Sequence, residues 1–109
     1  RVSKLLADAV GVFGINIIGK ASEKGTLEPI SKCRGQARVI TNLIKEMKMH
    51  GFAGGRVNIT HVNNLELAES FGEAVRNAFP NVITNIYPSR GLVAYYAEEG
   101  SMLIGFETV

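Results

Sequence analysis

The sequence is short of most of the groups that announce a particular chemistry. Its 109 residues include one cysteine, Cys33, and two histidines, His50 and His61. A single cysteine excludes an internal disulfide framework and fits a reducing, cytoplasmic compartment. Cys33, His50 and His61 stand apart, with no His-x-x-x-His pair and no second cysteine, so neither a metal site nor a cofactor is expected. No apolar run approaches the length of a membrane span, and no signal-peptide pattern is present. The formal charge is only +2, and no basic block carries interleaved aromatics, which argues against nucleic acid. There is no internal repeat and no low-complexity tract. An initiator methionine is also lacking, since the chain opens Arg1-Val2, so it is expected to be part of a longer protein or to have lost residues.

Catalytic sets are missing as well. A phosphate loop needs glycines between a strand and the helix that follows it. Gly51, Gly54 and Gly55 instead fall between a helical pattern and a strand pattern. Cys33 has Lys32 and Arg34 beside it, as a poised nucleophile would, but no histidine partner accompanies it. Glu98 and Glu99 are adjacent and would diverge in a strand, unlike a glycosidase pair.

What remains is a globular composition, 46% hydrophobic and 20% charged, of a length that suits one domain over residues 1–109. Val2, Leu5, Leu6, Ala9 and Val10 share a stripe that predicts a short amphipathic helix over 2–12. Phe13–Ile18 reads as a buried strand, 23–26 as a hairpin turn, and Leu27–Ile30 as a short strand with Pro29 at an edge or its end. Cys33–His50 is the strongest helix, with Val39, Ile40, Leu43, Ile44 and Met47 on its apolar face and Ser31 or Lys32 as its cap. Residues 56–62 alternate strictly, with Val57, Ile59 and His61 on one side. Asn63 fits an N-cap with Glu66 completing a capping box, and the helix runs to Ala78, where Pro80 prevents continuation. Strands are expected near 82–87, 91–96 and 101–106. The sum is an α/β domain of two layers, a mixed β-sheet of about six strands with helices packed on it and a parallel crossover from Val57 to Ile86.

The segment 82–107, with its Pro-Ser-Arg-Gly and Ala-Glu-Glu-Gly turns, sets polar groups beside a buried sheet and is the expected site region. A pocket for a lipid needs an apolar wall and a few anchors. Phe13, Ile15, Ile17, Leu92, Met102 and Ile104 are candidates for the wall. Arg34, Arg90 or a tyrosine hydroxyl could hold a carboxylate or phosphate.

Several local patterns resemble the C-terminal domain of the DegV family of bacterial fatty-acid-binding proteins. They are the hairpin from Ile17-Ile18 to Leu27-Glu28-Pro29-Ile30, the basic entry Lys32-Cys33-Arg34-Gly35-Gln36-Ala37, and the strand Val57–Val62 ending at His61 before Asn63-Asn64. The Gly91–Phe106 segment closes in Gly105-Phe106 in the same way. The resemblance implies a two-domain protein holding a long-chain fatty acid between this domain and an N-terminal domain. It also implies a binding role without catalysis and, in some members, partnership with a fatty acid kinase catalytic subunit. The family's His-Thr-Gly-Pro-Gly turn falls on Tyr96-Ala97-Glu98-Glu99-Gly100, so Tyr96 stands where the family has histidine and only Gly100 matches. Two other readings stay open from the residues. One is an enzyme domain binding a phosphorylated or carboxylated metabolite through Arg34 or Arg90. The other is a structural domain forming a homodimer through an exposed apolar face.

Overall fold

The computed structural model describes residues 2–10, 15–21, 27–88 and 100–108. Its strands are β1 (Val2–Val10), β2 (Ile15–Ala21), β3 (Leu27–Arg34), β4 (Gly55–His61), β5 (Val82–Pro88) and β6 (Met102–Glu107). Helix α1 (Gln36–Met49) lies between β3 and β4, and α2 (Leu65–Ala78) between β4 and β5. The six strands form one sheet in the order β3-β2-β1-β6-β4-β5. Among the described strands only β4 and β5 pair in parallel, so the sheet is mixed, as expected.

The first element corrects the expectation of a helix over 2–12. Strand β1 sits in the interior of the sheet between β2 and β6. Leu5 and Leu6 are both fully buried, but only Leu5 joins the core cluster beneath the helices. A strand buried on both faces loses its polar alternation. Neighbouring apolar residues on opposite faces then imitate the stripe of a helix.

A second correction moves the start of α1. Strand β3 does not end at Ile30. The pairing steps from Ile18↔Ser31 to Gly19↔Pro29, which leaves Ile30 as the extra residue of a bulge. Past that bulge the edge strand continues through Cys33 and Arg34. Ser31 is therefore a strand residue with a buried hydroxyl rather than a cap. Gly35, at φ 91, turns the chain into α1 without a side-chain cap.

Both helices cover one face. Val39, Leu43 and Met47 of α1, with Leu67, Ala68, Phe71 and Val75 of α2, pack on Leu5, Ala7, Ile18, Val57, Ile59, Met102, Ile104 and Phe106. Each buried Val, Leu, Ile, Met or Phe side chain among them contributes about 1.5–3 kcal/mol. At the end of the sheet where β4 and β5 begin, Phe52 meets Phe79 and Phe106 edge to face, with centroids 4.8 and 5.5 Å apart. The strand expected at 91–96 and the turn at 23–26 lie outside the described residues.

Candidate functional site

The opposite end of the sheet gathers the features that could hold a ligand. Register places Val10, Ile15 and Arg34 together, and beside them Ala7, Met102, His61 and Pro88. Both helices begin at this end, because each follows a strand that finishes there. A depression of about 310 Å³ opens between their first turns. Asn16, Gln36, Asn64, Glu66 and Gly100 give it a polar rim, and the buried Val39 and Leu67 supply its apolar part.

The turn from β4 into α2 is built on two asparagines and a histidine. Asn63, at φ 51, takes the left-handed conformation that asparagine tolerates better than most residues. The cap is therefore Asn64, one residue later than the sequence expectation of Asn63. Its Oδ1 accepts from the Leu67 N–H at 3.3 Å. Glu66 lies in the first turn, where a carboxylate complements the helix dipole. His61 is 8% exposed, and its Nδ1 accepts a hydrogen bond from the Asn64 N–H at 3.0 Å. That bond fixes the tautomer with the proton on Nε2.

The same turn grips the chain ahead of β6. Asn64 Nδ2 donates to the Gly100 carbonyl at 3.0 Å. The Gly100 N–H donates to Val62 O at 2.7 Å, and the Val62 N–H to Ser101 O at 2.9 Å. Gly100 is at φ 93, a conformation open to glycine. These bonds join residues far apart in sequence at the rim of the depression.

A family model described as "uncharacterised protein, DegV family" matches residues 1–108. The chain belongs to the DegV family. A DegV domain-containing protein of Streptococcus pyogenes is 38% identical over 107 residues, covering 98% of this chain and 38% of its own length. One of Streptococcus pneumoniae is 40% identical over 107 residues with the same coverages. Among solved structures, a DegV family protein from Eubacterium eligens loaded with heptadecanoic acid superposes with a TM-score of 0.89 at 30% identity. That match covers 99% of this chain and 46% of the other. The Streptococcus pneumoniae fatty acid kinase (Fak) B3 protein loaded with linoleic acid gives 0.89 at 31% identity, covering 100% and 45%. The chain thus spans 38% of the length of these curated relatives.

Within this DegV domain the sequence-derived site residues scatter. Phe13, Arg90, Leu92 and Tyr96 lie outside the described residues, as do Glu98 and Glu99. The described neighbours of 11–14 and 89–99, namely Val10, Ile15, Pro88 and Gly100, all stand at the depression's end of the sheet. Ile15 pairs with Val10 and Arg34 at that end. Arg34 is exposed and alternates with the buried Cys33, so it lies on the face away from the helices. Ile17 shares that face. Met102 and Ile104 are fully buried on the other, in the core that leads from the depression.

Asn16, Gln36 and Asn64 are rim residues that the sequence did not single out as a site. The tandem Asn63-Asn64 after an alternating strand was the available signal for the last of them, but Asn63 reads as the cap and the pair enters only as part of the family resemblance. Among the described residues, no three His, Cys, Asp or Glu side chains could share a metal ion. No helix among them is long and apolar enough to cross a membrane.

Proposed function

We propose that this domain binds a long-chain fatty acid, or a lipid of similar shape, without carrying out chemistry on it. The observation that carries the reading is the pair of relatives at or above 30% identity, loaded with heptadecanoic and linoleic acid, that match the whole chain at a TM-score of 0.89. The depression between the starts of α1 and α2 supports it. A polar rim over apolar Val39 and Leu67 suits an amphiphile with one charged end. The N–H groups of the first turn of α1, where Gly35 makes no side-chain cap bond, favour a carboxylate there.

The finer reading has the ligand closed in by an N-terminal domain of the same protein. In this reading Tyr96, Arg90, Leu92, Phe13, Ile15, Arg34 and Met102 contribute to binding, Met102 from the core beneath the helices and Arg34 from the opposite face of the sheet. A fatty acid kinase catalytic subunit is a partner in this reading, by extension from the Fak B3 relative. The single free cysteine, buried Cys33, supports a cytoplasmic setting. Exposed Ile83 and Tyr87 offer a surface for the N-terminal domain or for a homodimer.

The test is native mass spectrometry of the full-length protein purified from bacteria. A co-purifying mass in the fatty-acid range, exchangeable for heptadecanoic or linoleic acid, is the expected result. A bound nucleotide or sugar phosphate, or no uptake of either acid by delipidated protein, would sink the reading.

A further inference from the structure

We infer that Asn64 is a positioning residue for the ligand, acting through the Gly100 turn rather than by touching the lipid. This rests on the fatty-acid reading of the depression given above. A helix N-cap needs only an acceptor, and serine and aspartate serve about as well as asparagine. Asn64 uses its amide at both ends. Oδ1 caps α2 through the Leu67 N–H at 3.3 Å, while Nδ2 donates to the Gly100 carbonyl at 3.0 Å, across 36 residues. Only a side chain with a donor and an acceptor on one short fork makes both bonds.

The side chain is itself held in place. The Asn64 N–H is anchored on His61 Nδ1 at 3.0 Å, and His61 is buried in the last position of β4. On the other side of the turn, two backbone bonds with Val62 fix the Gly100 N–H and the Ser101 carbonyl. The amide of Asn64 adds the third bond and takes the Gly100 carbonyl. Asn64 and Gly100 both line the depression, so this bond fixes the separation of two of its walls. It also sets the direction in which the chain enters β6, where Met102 and Ile104 pass into the core.

The capping and positioning roles can be separated by substitution. Asn64→Asp keeps an N-cap at least as good as the original but turns the donor into a carboxylate facing the Gly100 carbonyl. Asn64→Ser keeps the cap and is too short to reach Gly100. In the full-length protein both variants should remain folded and melt somewhat below the parent, since the Gly100 carbonyl loses its side-chain donor. Amide hydrogen exchange should quicken at Gly100 and Ser101, and affinity for linoleic acid should fall by roughly tenfold for Asn64→Asp and less for Asn64→Ser. Unchanged exchange at Gly100 and Ser101 would overturn the inference, and so would quickened exchange with unchanged affinity. If the parent takes up no fatty acid, the ligand reading falls by itself. Exchange at the two amides then still decides whether Asn64 holds the turn.

Discussion

His61 Nδ1 and the Asn64 N–H, 3.0 Å apart, tie the last residue of β4 to the cap of α2. The acceptor belongs to a buried side chain, since His61 is only 8% exposed. His61→Phe fills the same space and removes the acceptor. It should cost about 1–3 kcal/mol, the penalty of leaving a part-buried amide unpaired. His61→Asn places an acceptor near the position of Nδ1 and should recover part of that loss. The check is the denaturation midpoint at constant m-value. Equal midpoints for His61→Phe and the parent would show that the bond contributes nothing.

Gly54 gives a second test, at the far end of the sheet. Its φ is 137, and a Cβ there would lie 2.6 Å from the Pro80 carbonyl oxygen, a backbone atom that cannot swing aside. Gly54→Ala should therefore destabilise by about 1–3 kcal/mol through backbone strain and collision. For a domain of this size each kcal/mol lowers the melting temperature by about 4–8 °C. Gly105→Ala meets nothing within 4 Å and has no positive φ, so it should cost far less. Neither change should alter the affinity for a fatty acid by more than its effect on the folded fraction.

The core supplies a third expectation. Phe71 and Leu43 are both fully buried, one on each helix, in the layer between helices and sheet. Phe71→Ala should cost about 3–5 kcal/mol and Leu43→Ala about 2–5, because neighbours collapse only partly into the space left. Either loss is a large fraction of the 5–15 kcal/mol typical of a domain. Thermal melts that move by only a degree or two would show that the layer is loosely packed.

How much of this was legible in the sequence depended on how many faces each element buries. Strand β4 was read correctly, with Val57, Ile59 and His61 inward, because its other face carries polar Asn58 and Thr60. Helix α2 was legible for the same reason, with Leu67, Phe71 and Val75 buried and Glu66, Glu69 and Glu73 exposed. Strand β1 was not, because Leu5 and Leu6 are both buried and no periodicity distinguishes that from a helix. The first residues of the Cys33–His50 helix were lost to a bulge at Ile30, because Pro29 reads as the edge or end of the strand and not as the sign of a bulge within it. At the site, His61 and the asparagine pair stood out as a strand end and a cap. The bond from Asn64 to Gly100 could not, since it spans 36 residues and depends on β6 lying next to β4.

Gln36 offers a way to pull stability and binding apart. It is the exposed first residue of α1, it lines the depression, and the first turn of that helix carries no acidic residue. Gln36→Glu places a negative charge at the positive end of the helix dipole and should stabilise the fold by about 0.3–1 kcal/mol. The same charge would repel an incoming carboxylate. Affinity for linoleic acid should therefore fall several-fold in the full-length protein while the melting temperature rises slightly. The methyl ester of the same acid should be nearly indifferent to the change, and added salt should restore part of the lost affinity for the free acid. Equal losses for acid and ester would mean that the carboxylate does not sit at this rim, and the head group would then have to be sought on the face that carries Arg34.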